Sequence, residues 1–108
     1  MELRLIVAII RPDALESVER RLQEIGVRGL TVTRGKGYGA YANFFARDWL
    51  VDQVKIEIYA EEDRTESIAA AVLDTAHTGS PGDGIVAVLP VEKVFSVRTR
   101  SEEAPNRR

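Results

Sequence analysis

The order of local patterns along this chain, β-α-β-β-α-β with a short extra strand, predicts an α+β fold. Three observations carry that reading: a β-branched apolar run at Leu3–Ile10, two segments with apolar residues at helical spacing, and strict alternation over Val54–Tyr59. The simplest packing is a ferredoxin-like double βαβ, an antiparallel sheet with both helices on one face. The opposite face is then left without a cover. Oligomerisation is the expected remedy, and the fold alone decides no function.

Each element has a local reason. Leu3–Ile10 suits a strand buried on at least one face. Arg11-Pro12-Asp13 stops it and opens a helix, because the fixed φ of proline fits a first turn. Leu15, Val18, Leu22 and Ile25 recur at helical spacing, while Glu16, Glu19, Arg20, Arg21 and Glu24 line the wet side. Gly26 is the expected C′ residue. Leu30–Thr33 begins a second strand, which Gly35, Gly37 and Gly39 are expected to loosen. Residues 40–52, AYANFFARDWLVD, follow neither period. Val54, Ile56 and Ile58 alternate with Lys55, Glu57 and Tyr59 as a half-buried strand does. Glu61-Glu62-Asp63 turns the chain and sets negative charge at the start of a second, Ala-rich helix built on Ile68, Val72 and Leu73. Ile85–Leu89 reads as a core strand, Pro90 as its end, and Val94–Thr99 as a last extended segment. One domain over residues 1–100 is expected, followed by a flexible polar tail at 101–108.

With 108 residues the chain has room for one modest core. A net charge of −2 argues against nucleic acid or an anionic membrane as partner. Cysteine is absent, which removes disulfide and thiolate chemistry and makes the cytoplasm the expected compartment. Leu3–Ile10 is too short for a signal or membrane helix. A single histidine cannot build a His-based metal cluster, so no metal site and no prosthetic group are expected.

The chemistry-bearing stretch is HTGSPGDGIVAVLPVEKV, residues 77–94. Closely spaced glycines let backbone N–H groups approach an anion, so a phosphate cradle is one reading. A plain helix-to-strand connection is the other. His77 reads as structural, and the acidic run at 61–63 as a solvated helix start. Phe44, Phe45 and Trp49 either pack down as a lid or stand out as anchors for a partner.

Three stretches now occur in a fixed order: IIRPDALESVERRLQEIGVRGLTVT, VKIEI and TGSPGDGIVAVLPVEKVFSVRT. Together they resemble the PII (nitrogen-regulatory) signal-transduction family from about Leu3 to Thr99. The resemblance implies a homotrimer that binds adenine nucleotides in clefts between subunits and grips other proteins with a flexible T-loop. It places Gly29 and Thr31 on the adenine side and Gly37-Tyr38-Gly39 at the base of the T-loop. It places Gly82-Asp83-Gly84 around phosphate and ribose, and makes Arg98 a cation donated by a neighbouring subunit. Ile9, Tyr59 and Thr78 complete the implied nucleotide set. Tyr41, Phe44, Phe45, Arg47 and Trp49 are the implied partner surface on a shortened T-loop.

The departures from the family pattern are specific. Ile85 stands where the family has a lysine after GDG, Ser96 where it has the first of two arginines, and Gln53 where a lysine precedes VKIE. Tyr41 takes the place of the glutamine that helps hold magnesium and 2-oxoglutarate, and the modifiable tyrosine is missing. Each lost cation removes a charge-assisted contact worth roughly 1.5–3 kcal/mol. The resemblance therefore implies a divergent sensor of ADP, AMP or ATP as effector. It would act on a partner such as a membrane transporter of bicarbonate or a metal ion rather than in control of glutamine synthetase. Two alternatives stand beside it: a structural trimer that has lost its nucleotide, and a small acylphosphatase-like enzyme.

Overall fold

The computed structural model describes residues 2–38 and 50–106. β1 (Leu3–Ile10) leads through a 3-10 turn at Pro12–Ala14 into α1 (Leu15–Glu24). β2 (Thr31–Gly37) and β3 (Val51–Glu61) follow, then a second 3-10 turn at Glu62–Arg64, α2 (Thr65–Ala76) and β4 (Gly84–Val91). A small hairpin of β5 (Phe95–Ser96) and β6 (Ser101–Glu102) closes the chain. The main sheet has the order β2-β3-β1-β4, with every neighbouring pair antiparallel. Each helix crosses over one intervening strand, which is the expected double βαβ.

Period-two alternation decides which side chains are sealed. Ile6, Ala8 and Ile10 of β1 and Val54, Ile56, Ile58 and Ala60 of β3 are at most 3% exposed. They form one core with Val18 and Leu22 of α1 and Ile68, Ala71 and Val72 of α2. Among the described residues no helix covers the other face. There Leu5 stands opposite Tyr59 and Leu89, and Ile9 opposite Lys55 and Ile85. Tyr59, Ile85 and Leu89 are 40–43% exposed.

α1 ends as its glycine predicts, with Gly26 at φ +88°. Arg64, itself 6% exposed, donates to the carbonyls of Ile25 at 2.6 Å and Gly26 at 3.5 Å. A cation at the carbonyl end of a helix is held by the helix dipole and by the orphan carbonyls together.

Four expectations are corrected. β2 runs on through Gly35 and Gly37, which stay paired with Gln53 and Val51 of β3. β3 is 11 residues long, because its partners on both sides extend its ladder. Pro90 lies inside β4, opposite Arg4, and is tolerated there because β4 is an edge strand. Residues 101–106 are tied down rather than free. β6 pairs with β5, Glu103 N–H donates to Val94 O at 2.8 Å, and Asn106 is hydrogen-bonded to the start of β2.

Candidate nucleotide site

The glycine loop is organised by one carboxylate. α2 ends at His77, whose extended backbone hands the chain to Thr78. The Asp83 carboxylate accepts the backbone N–H groups of Thr78 and Gly79, each at 2.8 Å, and the Thr78 hydroxyl. Thr78 Oγ1 in turn accepts Ser80 N–H at 3.2 Å. Arg11 Nε lies 3.8 Å and His77 Nδ1 3.9 Å from the same carboxylate. The Thr78 hydroxyl, followed by the two backbone donors, brings the Asp83 carboxyl down from 3.8 to about 2. Asp83 is therefore ionised at neutral pH and already occupies two N–H groups that a phosphate would want.

Gly84 has a different task. At φ +116° its Cβ would overlap the Ile9 carbonyl oxygen, so glycine is required to let β4 meet β1. Gly82, at φ +98°, shapes the turn before it.

From Ile9 a row of residues crosses the open face, Ile85–Ile9–Lys55–Thr33. A shallow cavity of about 200 Å³ opens on this row, lined by Ile9, Thr33, Arg34, Lys36, Gln53 and Lys55 among others. Lys36 pairs with Asp52 at 2.8 Å and holds that carboxyl below its ordinary value. Gly37, at the rim, leaves room for the Gln53 side chain that a Cβ would strike. Arg34 and Lys36 stand opposite Val54 and Asp52 on the other face of β2, so Lys55 is the cation that shares the open face with Ile9 and Thr33 and suits an anion there.

At the far end of β2 the carboxamide of Asn106 sits between Gly29 and Tyr59. Its Oδ1 accepts Arg28 N–H at 2.7 Å and Gly29 N–H at 3.0 Å. Its Nδ2 donates to Gly29 O and Tyr59 O, both at 2.9 Å.

The expected site residues thus fall into two groups on the sheet. Thr78, Gly82, Asp83, Gly84 and Ile9 are brought together, with Gly37 beside Gln53, which lines the cavity. Gly29, Thr31 and Tyr59 gather at the other end of the β2–β3 ladder. Tyr38 is 62% exposed. Arg98 is exposed in the turn between β5 and β6, and no hydrogen bond or ion pair among the described residues ties it to residues 78–84. Gly39, Tyr41, Phe44, Phe45, Arg47 and Trp49 lie outside the described residues. Sequence reasoning missed Lys55, although alternation on strands facing Ile9 was signal enough for it. It also missed Asn106, whose side-chain partners lie 47 to 78 residues away. Among the described residues no cluster suits a metal ion, and no helix is long and apolar enough to cross a membrane.

The sequence pattern of the family described as nitrogen regulatory protein P-II matches residues 3–101. The chain is 39% identical over 104 residues to nitrogen regulatory protein GlnK2 of Haloferax mediterranei, covering 90% of this chain and 85% of that protein. It is 40% identical over 101 residues to nitrogen regulatory protein P-II of Azospirillum brasilense, covering 87% and 90%. Among solved structures it superposes on Arabidopsis thaliana PII bound to citrate with a TM-score of 0.80, 36% identity, and coverage of 94% and 85%. Proteins of this kind are regulatory signal transducers, which sets aside the acylphosphatase-like alternative. By pattern, identity and fold alike, the chain belongs to the P-II family of nitrogen regulatory proteins.

Proposed function

We propose that this chain is a regulatory subunit that binds an adenine nucleotide on the open sheet face, at a cleft completed by a second copy, and signals through residues 39–52. The observation that carries this reading is the row Ile85–Ile9–Lys55–Thr33, which joins the Asp83-stapled loop to a hollow on the same face where Lys55 is the cation. Lys55 offsets part of what Ile85, Ser96 and Gln53 fail to supply. Gly29 and Thr33 are four residues apart, or about 13 Å along a strand. That spacing fits a base at one end and phosphates at the other.

The half-exposed apolar strip of Leu5, Tyr59, Ile85 and Leu89 supports a trimer, because a monomer would leave it wet. The family resemblance supports a partner protein, with a membrane transporter of bicarbonate or a metal ion as its class. Calorimetric titration with AMP, ADP and ATP tests the proposal. Micromolar to millimolar binding is expected, with ADP affinity lowered about tenfold or more in Lys55→Gln. Absence of binding by all three nucleotides would overturn it. A second reading, a trimer without nucleotide, is favoured by the internal filling of both ends by Asp83 and Asn106. The same titration separates the two.

A further inference from the structure

The ladder between β2 and β3 stops at Thr31 opposite Glu57, although the same register would bring Gly29 opposite Tyr59. At that step the strands do not pair with each other. The Asn106 carboxamide stands between them and satisfies Gly29 N–H, Gly29 C=O and Tyr59 C=O at once. Its orientation is forced, since an oxygen must face the two N–H groups and an amino group the two carbonyls. Residue 106, held in the left-handed region at φ 54°, brings this group in. Its own carbonyl is fixed by Arg64 Nη1 at 3.1 Å. Gly29 and Tyr59 thus present one N–H donor beside two carbonyl acceptors.

A ligand entering here must bring an acceptor next to an amino group with two hydrogens. Adenine does so along one edge, with N1 as acceptor and the N6 amino group as double donor. On that edge hypoxanthine and guanine reverse adenine's pattern, with O6 as acceptor and N1–H as donor (guanine adding its N2 amino group), and so leave a carbonyl unpaired. We propose that Asn106 is a built-in stand-in for adenine, closing the base end of the site until a nucleotide's adenine displaces it. This inference rests on the nucleotide reading above and adds to it an autoinhibitory contact and a basis for base choice.

The test uses the full chain and the Asn106→Ala variant, with AMP, IMP and ribose 5-phosphate as probes. Asn106 is half-buried and outside the core, so the variant is expected to melt as a folded protein. Removing the internal competitor is expected to tighten AMP binding about tenfold, because apparent affinity scales with the open fraction. Ribose 5-phosphate, which has no base, is expected to bind both chains equally, and IMP to bind each more weakly than AMP. In the unaltered chain, saturating AMP is expected to move the Asn106 side-chain amide resonances to their solvent positions. AMP that binds while those resonances stay in place, or no tighter in Asn106→Ala, overturns this inference and leaves the nucleotide reading intact. Failure of AMP, ADP and ATP to bind either chain overturns both.

Discussion

The two faces of the sheet are built from the same strands but are finished differently. Along β1, Ile6, Ala8 and Ile10 are sealed beneath the helices, while their neighbours Leu5, Val7 and Ile9 are only half-buried. Along β3, Val54, Ile56, Ile58 and Ala60 are sealed, while Gln53, Lys55, Glu57 and Tyr59 remain partly open. The sealed strand residues of the covered face are all apolar and carry the stability of the single chain. The open face mixes Leu5, Tyr59 and Leu89 with Lys55 and Glu57, and the glycine loop and the cavity lie along it. Such a mixture suits contact with another copy and with a charged ligand better than it suits a core.

Substitutions on the two faces should therefore fail in different ways. Ile56→Ala, at a residue 0% exposed, is expected to cost about 2–5 kcal/mol in urea unfolding. A loss below about 1 kcal/mol would mean that the covered face is not the core. Arg64→Ala should cost roughly 2–3 kcal/mol, because it leaves the carbonyls of Ile25 and Gly26 without their buried partner. Thermal melting of this variant checks the capping role. Leu89→Ala, on the open face, should change the stability of a dissociated chain by less than about 1 kcal/mol yet shift assembly towards smaller species. If that variant unfolded like Ile56→Ala, the contrast between the faces would collapse.

The smallest effect concerns pH and stays local. The fold lowers the Asp83 carboxyl from 3.8 to about 2, so it favours the ionised form. Its contribution is complete above about pH 4 and is lost as the pH falls through about 2. Amide chemical shifts of Thr78 and Gly79 in the folded protein should hold steady at about pH 4 and move together around a midpoint near 2. In Asp83→Asn, movement over the same pH range would show that another group is titrating.

Much of this was legible because the information was local. The 3.6 period at Leu15, Val18 and Leu22 and the two-residue period at 54–59 reflect burial on one face. Pro12 and Gly26 marked helix ends through φ alone. Pro90 misled for the same reason: its missing N–H matters only in a central strand, and sheet order is not local. The extent of β2 through Gly37 depends on pairing with β3 and not on glycine propensity. Within the site, the turn chemistry of Gly82-Asp83-Gly84 was visible, but the inward aim of Asp83 onto Thr78 and Gly79 was not. Asn106 was least legible. A polar residue in a polar tail carries no pattern, and its meaning comes from strand ends reached only after folding.

The central claim is that the open face is an assembly face, with the nucleotide cleft formed where copies meet. Sedimentation equilibrium of the unaltered protein at micromolar concentration tests it most directly. The account predicts a single species of three 12.0 kDa chains. A monomer under those conditions would contradict it.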